Sequence, residues 1–238
     1  MLKTEQDRSA SEVVMSTHDK LIPTRRVGRQ RVVNRVEELL QLSAGKRVLH
    51  LGCVDYPFTE LQGERLLHRQ LLKVARDLWG LDASTEGVER LRAMGFPNIL
   101  LGDVEHLEPG LIPAGCDLII AGELIEHLAC PGGFLTSLRT HMDPRTELVL
   151  TTPNAFGGKG FLHSLLWREK VHPDHNYYFS YYTITQLLGK FGFRCNAVYY
   201  YQEVQGQGLA LAVDRCLAVA PRVWPILADG LFVRATVQ

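Results

Sequence analysis

The chain has 238 residues, 46% of them apolar, and 26 basic side chains balance 26 acidic ones for a formal net charge of zero. That length and apolar content suffice for one large buried core. The charge balance excludes general nucleic-acid binding through a basic excess, and no run of about 18 apolar residues offers a membrane span.

Residues 1–20, MLKTEQDRSASEVVMSTHDK, are polar and lack the apolar heart of a signal peptide, which predicts a flexible tail ahead of a helical segment at 21–45. Lys20, Arg25, Arg26, Arg29, Arg31 and Arg35 form a basic stretch. It reads as a solvated helix face, or else as a seat for an anionic substrate group. Val32, Val33, Val36, Leu39 and Leu40 at helical spacing predict a helix over 26–42, stopped before Gly45. KRVLHL between Gly45 and Gly52 reads as a buried strand. Leu66, Leu67, Leu71, Val74 and Ala75 mark a helix, DLWGLD a second strand ending at Asp82, and 84–94 a helix stopped by Gly95. NILLGD and CDLIIAGE are the third and fourth strands. Helical material follows over 125–138, interrupted by Pro131-Gly132-Gly133, and ELVLTTP is the fifth strand. Thr183, three residues before Gln186, predicts a cap for a helix through Leu187 and Leu188 that Gly192 closes. FRCNAVYYY and GLFVRATV read as two late antiparallel strands.

This alternation predicts an α/β fold: a Rossmann-like, doubly wound, mostly parallel sheet of seven strands with an antiparallel last strand, occupying 46–238, plus the N-terminal helix. The five cysteines, Cys53, Cys116, Cys130, Cys195 and Cys216, form no CxxC. An odd count without that motif predicts reduced thiols and a cytoplasmic location.

In such a sheet, ligands sit beyond the carboxyl ends of the strands. Gly52, Cys53 and Val54 follow the first strand, Asp82 and Ala83 the second, Asp103 and Val104 the third, Glu123, Glu126 and His127 the fourth, and Thr151 to Asn154 the fifth. An acid ending the second strand can accept both hydroxyls of an adenosine ribose. A nicotinamide dinucleotide would want three glycines in the first turn, so that two phosphates can approach the backbone. Here Val54 and Tyr56 stand at the second and third glycine positions, which favours a cofactor with ribose and adenine but no phosphate.

The motifs VLHLGC, WGLDAS, NILLGDVEHL, CDLIIAGELIEHL, LVLTTPNAF and HPDHNYYFSYYTITQLLGKFGF resemble those of class I S-adenosylmethionine-dependent methyltransferases, over roughly 47–238. The resemblance implies S-adenosylmethionine as cofactor and S-adenosylhomocysteine as product. It places Gly52, with Cys53 beside it, against the methionine part, Asp82 and Ala83 at the ribose, Asp103 and Val104 at the adenine, and Glu123 along the pocket. The chain departs from the family at His50, where an acid is common, at Val54 and Tyr56, and in the long interval from Gly52 to Asp82. The style of the motifs resembles members of polysaccharide, quinone or natural-product biosynthesis, which implies methyl transfer to an oxygen, less readily a nitrogen, of a small molecule such as a sugar or secondary metabolite. Two alternatives stand beside it: a non-catalytic binding subunit on the same fold, and a nicotinamide-dependent oxidoreductase. The expected partner is a small-molecule acceptor, with no membrane; a homodimer is left open.

Such a reaction needs alignment and, for many acceptors, a base. His127, at the start of the helix expected after the fourth strand, and His175, which the resemblance places near the acceptor, are the candidates. His172 and His175 lie three apart, a metal-ligand spacing, but Pro173-Asp174 reads as a turn and no third ligand is evident, so no metal is expected. Seven of the eight tyrosines lie between Tyr177 and Tyr201. Tyr177 and Tyr178, with Asn154 and His172, are the candidate acceptor contacts.

Overall fold

Val32 and Val33 do not continue the N-terminal helix. They form β1 (Val32–Val33), parallel to the end of β7 (Phe193–Tyr201), with Val33 opposite Tyr201. The helix expected over 26–42 is confined to α1 (Arg35–Ser43). Two adjacent β-branched residues favour extended backbone, and the Asn34 side chain accepts a hydrogen bond from the Glu37 N–H at 3.3 Å, which fixes the helix start. The structure, a computed structural model, describes residues 26–28, 30–54, 63–203 and 218–238. The expectations for residues 1–20, for Tyr56 and for Cys216 concern residues outside this set.

With β1 added, the sheet has eight strands rather than the seven expected, in the order β1-β7-β8-β6-β5-β2-β3-β4. The others are β2 (Arg47–Leu51), β3 (Asp77–Asp82), β4 (Ile99–Leu101), β5 (Leu118–Gly122), β6 (Glu147–Pro153) and β8 (Gly230–Val237). Only β8 is reversed, lying antiparallel between β6 and β7. Alternate residues of each strand supply the two cores, as the two-residue strand period requires. Leu49, Leu51, Ile119, Leu148 and Leu150 pack on one face with Phe134 and Leu135 of α4 (Pro131–Arg139) and Ile184 and Leu188 of α6 (Tyr181–Lys190). Val48, Leu118, Ile120 and Val149 pack on the other with Leu39 of α1 and Leu71 of α2 (Leu67–Leu72). A third cluster joins Cys53 and Ile99 to Val88 and Leu91 of α3 (Thr85–Ala93). No helix among the described residues is long and apolar enough to cross a membrane.

Two helix starts differ from expectation. Residues 125–127 form a turn, and α4 begins only at Pro131, whose missing N–H costs nothing at a first helical position. The cap of α6 is Ser180, three residues earlier than expected. Its side chain accepts from the Thr183 N–H at 3.2 Å, and Thr183 Oγ1 accepts from the Ser180 N–H at 2.8 Å, so a threonine replaces the usual Glu of a capping box.

Gly230 lies opposite Tyr201 across β7 and β8, and a Cβ there would collide with the Tyr201 ring. Gly230→Ala is therefore expected to cost about 3 kcal/mol in urea unfolding, because the ring is buried and has nowhere to retreat. Gly160 lies in α5 (Gly158–Leu165), where a Cβ meets nothing within 4 Å. Gly160→Ala is the matched control and should be neutral or slightly stabilising.

Candidate active site

β2 lies between β3 and β5, so the crossovers leave it in opposite directions and a crevice opens past its carboxyl end. Gly52 lines that crevice at φ +66, and a Cβ on it would sit 3.2 Å from Leu124 Cδ1 on the opposite wall. A side chain here would narrow the crevice and strain the backbone. Val54, the residue in place of the second glycine, is turned the other way. Its side chain packs on Gly87 of α3, which has no Cβ to obstruct it. Its N–H donates to Asp82 Oδ2 at 2.9 Å, while the Ser84 N–H donates to Asp82 Oδ1 at 2.9 Å. Asp82 thus ties the turn after β2 to the turn after β3, and each of its oxygens keeps a lone pair for a further donor. Burial pushes its carboxyl up, against the pull of the Ser84, Val54 and Ala83 N–H groups. Ala83 beside it is exposed.

The neighbouring candidates are placed differently. Cys53 is 1% exposed and its thiol faces the third core cluster, where burial and Asp82 push it up to about 12. Only its backbone borders the turn. Val104 is likewise a core side chain. Asp103 is exposed, but its carboxylate is engaged locally, accepting from the Glu105 N–H at 2.9 Å and lying 3.1 Å from His106 Nδ1. The His106 contact, then the Glu105 N–H, hold its carboxyl below the usual range.

Glu123 follows β5 with φ +51, an unusual conformation for a residue with a Cβ. The bend sends its carboxylate to Tyr201 Oη, which donates to Glu123 Oε1. The Arg35 guanidinium stands 5.7 Å from the Tyr201 ring centroid and pairs with Glu203 at 3.2 Å. Burial raises the Glu123 carboxyl, and Arg35 and the tyrosine hydroxyl pull it back without cancelling the rise. The side chain expected along the cofactor pocket is therefore held by β7 and α1. Glu126, three residues on, is fully buried, and neither of its oxygens finds a hydrogen-bond partner among the described residues. Burial and the adjacent Glu123 push its carboxyl up to about 8.

His127 is in the turn before α4, not at a helix start, so no helix dipole acts on it. Desolvation first, and His172 second, lower its pKa. The structure brings His127, His172 and His175 together, with ring centroids 5.4, 4.5 and 5.3 Å apart. Backbone clasps impose this. The Asn176 and Tyr177 N–H groups donate to Glu126 O at 2.8 and 3.2 Å, Asn176 Nδ2 donates to His127 O at 2.8 Å, and Tyr177 Oη donates to Ala129 O at 3.1 Å. Tyr177 thus spends its hydroxyl on the clasp. Asn154 is also structural: its Nδ2 donates to Ile226 O and Ala228 O at 2.8 and 2.9 Å, and its Oδ1 accepts from the Phe156 N–H. Both N–H bonds of the amide expected to meet an acceptor are used, while the residue itself borders the groove lined by Tyr178.

Tyr178 is exposed, 6.1 Å from the His175 ring, and lines a groove of about 770 Å³ with Trp167, Arg168 and Lys170. Phe161, Leu165, Leu166 and Trp167, the last 99% exposed, form an apolar surface beside the groove. Arg35 appears in the sequence only as one cation of a basic stretch, and Tyr201 only as a strand tyrosine. Their meeting depends on β1 joining β7, for which two valines are a slender signal. Glu126 was visible at a strand end, but its burial was not.

Residues 25–198 match a family profile described as a methyltransferase domain. The mitochondrial ubiquinone biosynthesis O-methyltransferase of Schizosaccharomyces pombe is 26% identical over 114 residues, a match spanning 46% of this chain and only 38% of that protein. Among solved structures, an S-adenosylmethionine-dependent methyltransferase from Archaeoglobus fulgidus superposes with a TM-score of 0.56 at 17% identity, over 85% of this chain and 91% of that one. Magnesium protoporphyrin IX methyltransferase from Synechocystis, with bound S-adenosylhomocysteine, gives 0.53 at 14% identity, over 86% and 82%. Both share the fold.

Proposed function

Since the chain belongs to the methyltransferase-domain family, we propose that it is an S-adenosylmethionine-dependent methyltransferase acting on an oxygen, less readily a nitrogen, of a small molecule such as a sugar or secondary metabolite. The observation that carries this reading is the group of three imidazoles on the rim between the β5 turn and the Tyr178 groove. The relative from Schizosaccharomyces pombe, an O-methyltransferase by name, supports oxygen as the acceptor atom.

The crevice suits a phosphate-free adenosyl group. Gly52 leaves room for close backbone approach, and Asp82 has two lone pairs free for ribose hydroxyls. Ala83 stands beside that ribose. Asp103 and Val104 would border the adenine through their backbone, since both side chains are engaged elsewhere. Bound there, S-adenosylmethionine supplies a methyl group on a sulfonium, already electrophilic. What the chain adds is alignment of the acceptor and removal of its proton. Tyr178 offers a ring and a hydroxyl to the acceptor, and His127 or His175 an imidazole lone pair to its O–H. The apolar surface of Phe161, Leu165 and Trp167 would carry the acceptor's apolar body.

The non-catalytic alternative drew its support from Val54 and Tyr56; the Val54 side chain faces α3 rather than the crevice, and Tyr56 lies outside the described residues. Methyl transfer is tested by following S-adenosylhomocysteine release across a panel of hydroxylated acceptors. His127→Ala and His175→Ala should each lower turnover about 100-fold and leave S-adenosylhomocysteine affinity within about threefold. Full turnover in both variants would remove the imidazoles from the reaction.

A further inference from the structure

We propose that His127, His172 and His175 form a site for a transition-metal dication of the zinc type, with a fourth position open to water or to the acceptor oxygen. The metal site stands on its own geometry. With the ion bound, the lone pairs of His127 and His175 are spent on it, and the ion at its fourth position would take over from a free imidazole in acidifying the acceptor O–H; that assignment alone rests on the methyl-transfer reading.

One ligand atom from each of the three imidazoles lies within 4.8 Å of the other two. A tetrahedral zinc site with Zn–N of about 2.0–2.1 Å sets its nitrogens about 3.3 Å apart. The rings therefore need to close by at most about 1.5 Å, a movement on the scale of small side-chain rotations of the half-buried and exposed imidazoles. The backbone already holds the group in place: His172 and His175 share one turn, with the His175 N–H on His172 O at 3.1 Å, and Asn176 ties that turn to the loop bearing His127.

A second observation points to a ligand. His175 Nδ1 is buried and has no hydrogen-bond partner among the described residues. A buried imidazole nitrogen rarely goes unpaired unless something outside the protein meets it. Asp174 also stands behind the cluster. Its N–H donates to His172 Nδ1 at 3.3 Å, and its carboxylate lies 3.8 Å from that nitrogen, placed to accept the Nδ1 proton when the other ring nitrogen holds the ion; its backbone hydrogen-bonds the His127 ring. A carboxylate or backbone group on the outer nitrogen is the arrangement that orients a metal-bound histidine.

The donor set selects the ion. Imidazoles suit zinc, cobalt, nickel and copper, whereas magnesium and calcium want oxygens. The nearby carboxylate of Glu123 is taken by Tyr201, and no carboxylate is part of the group within 4.8 Å. Neither His127 nor the fold of the 172–175 turn is visible from the spacing of His172 and His175, which is why the sequence alone points to no metal here.

The test uses the full chain, stripped with a chelator and titrated at neutral pH with zinc chloride, with magnesium chloride as a separate arm. One zinc per chain is expected, weakened at least about 10-fold in His127→Ala, His172→Ala and His175→Ala, with no competition from magnesium. Cobalt substitution adds an optical readout: visible absorption in the parent chain, lost in the three variants. S-adenosylhomocysteine binding to each variant shows that it is folded and tests the functional reading separately. If zinc binds stoichiometrically while S-adenosylhomocysteine does not, the metal site stands and the functional reading falls. The absence of stoichiometric zinc, zinc affinity untouched by all three substitutions, or magnesium binding as tight as zinc would each overturn the proposal.

Discussion

Asp82→Ala is expected to lower S-adenosylhomocysteine affinity at least about 100-fold, with the protein still folded. The carboxylate has two tasks on the same atoms. It accepts the Val54 and Ser84 N–H groups, each at 2.9 Å, and so holds the turns after β2 and β3 in register. Its remaining lone pairs are the acceptors proposed for the ribose hydroxyls. A hydrogen bond to a charged group contributes about 1.5–3 kcal/mol, and every 1.4 kcal/mol is a factor of ten in affinity. Two lost ribose bonds alone reach about 100-fold, and the loosened turn adds to it. Asp82→Asn should fall between, since the amide keeps one acceptor oxygen but sets an NH₂ against a backbone N–H. Calorimetry with S-adenosylhomocysteine gives the affinities, and a thermal melt without ligand checks the fold. Unchanged affinity in Asp82→Ala would take Asp82 out of the site.

The parallel sheet was legible because β2, β3, β5 and β6 are buried on both faces and read as near-continuous apolar runs between glycines. The edge was not. β1 is two residues long, and its pairing with β7 is a tertiary choice that helical spacing over Val32, Val33 and Val36 conceals. At the site, positions were legible and side-chain directions were not. Cys53, Val104 and Asn154 occupy the strand ends where ligands gather, yet their side chains serve the core or the neighbouring loop. Glu123 shows the cause clearly: a left-handed backbone conformation at a single non-glycine residue redirects a carboxylate from the crevice to Tyr201. No pattern in the sequence encodes that turn. The three histidines meet for a similar reason, since backbone hydrogen bonds between two loops, and not spacing along the chain, bring His127 to the other pair.

Acid should unfold this protein through His50 and His68. His50 of β2 faces His68 of α2, with the two Nδ1 atoms 3.2 Å apart and both rings buried. One imidazole must donate and the other accept, so the pair is stable only when both are neutral. Burial brings His68 down to about 4, and burial, His68 and Arg35 lower His50 well below its usual value. Unfolded, each titrates near 6.5. Below that pH the unfolded chain takes up protons that the folded chain refuses, so the stability present above about pH 6.5 is lost as pH falls toward 4. His68 alone accounts for about 3 kcal/mol at pH 4, out of a typical total of about 5–15 kcal/mol, and His50 adds to it. Glu126, pushed up to about 8, acts in the opposite sense, favouring the folded state at the acidic end of its range. The decisive quantity is therefore the difference between the parent and a double variant, His50→Leu with His68→Leu. Replacing both partners by apolar groups of similar size removes the titration without leaving a lone polar atom. Urea unfolding from pH 7 to pH 4 should show the parent losing several kcal/mol more than the variant. Parallel pH profiles for the two proteins would mean that the buried pair does not set the acid limit.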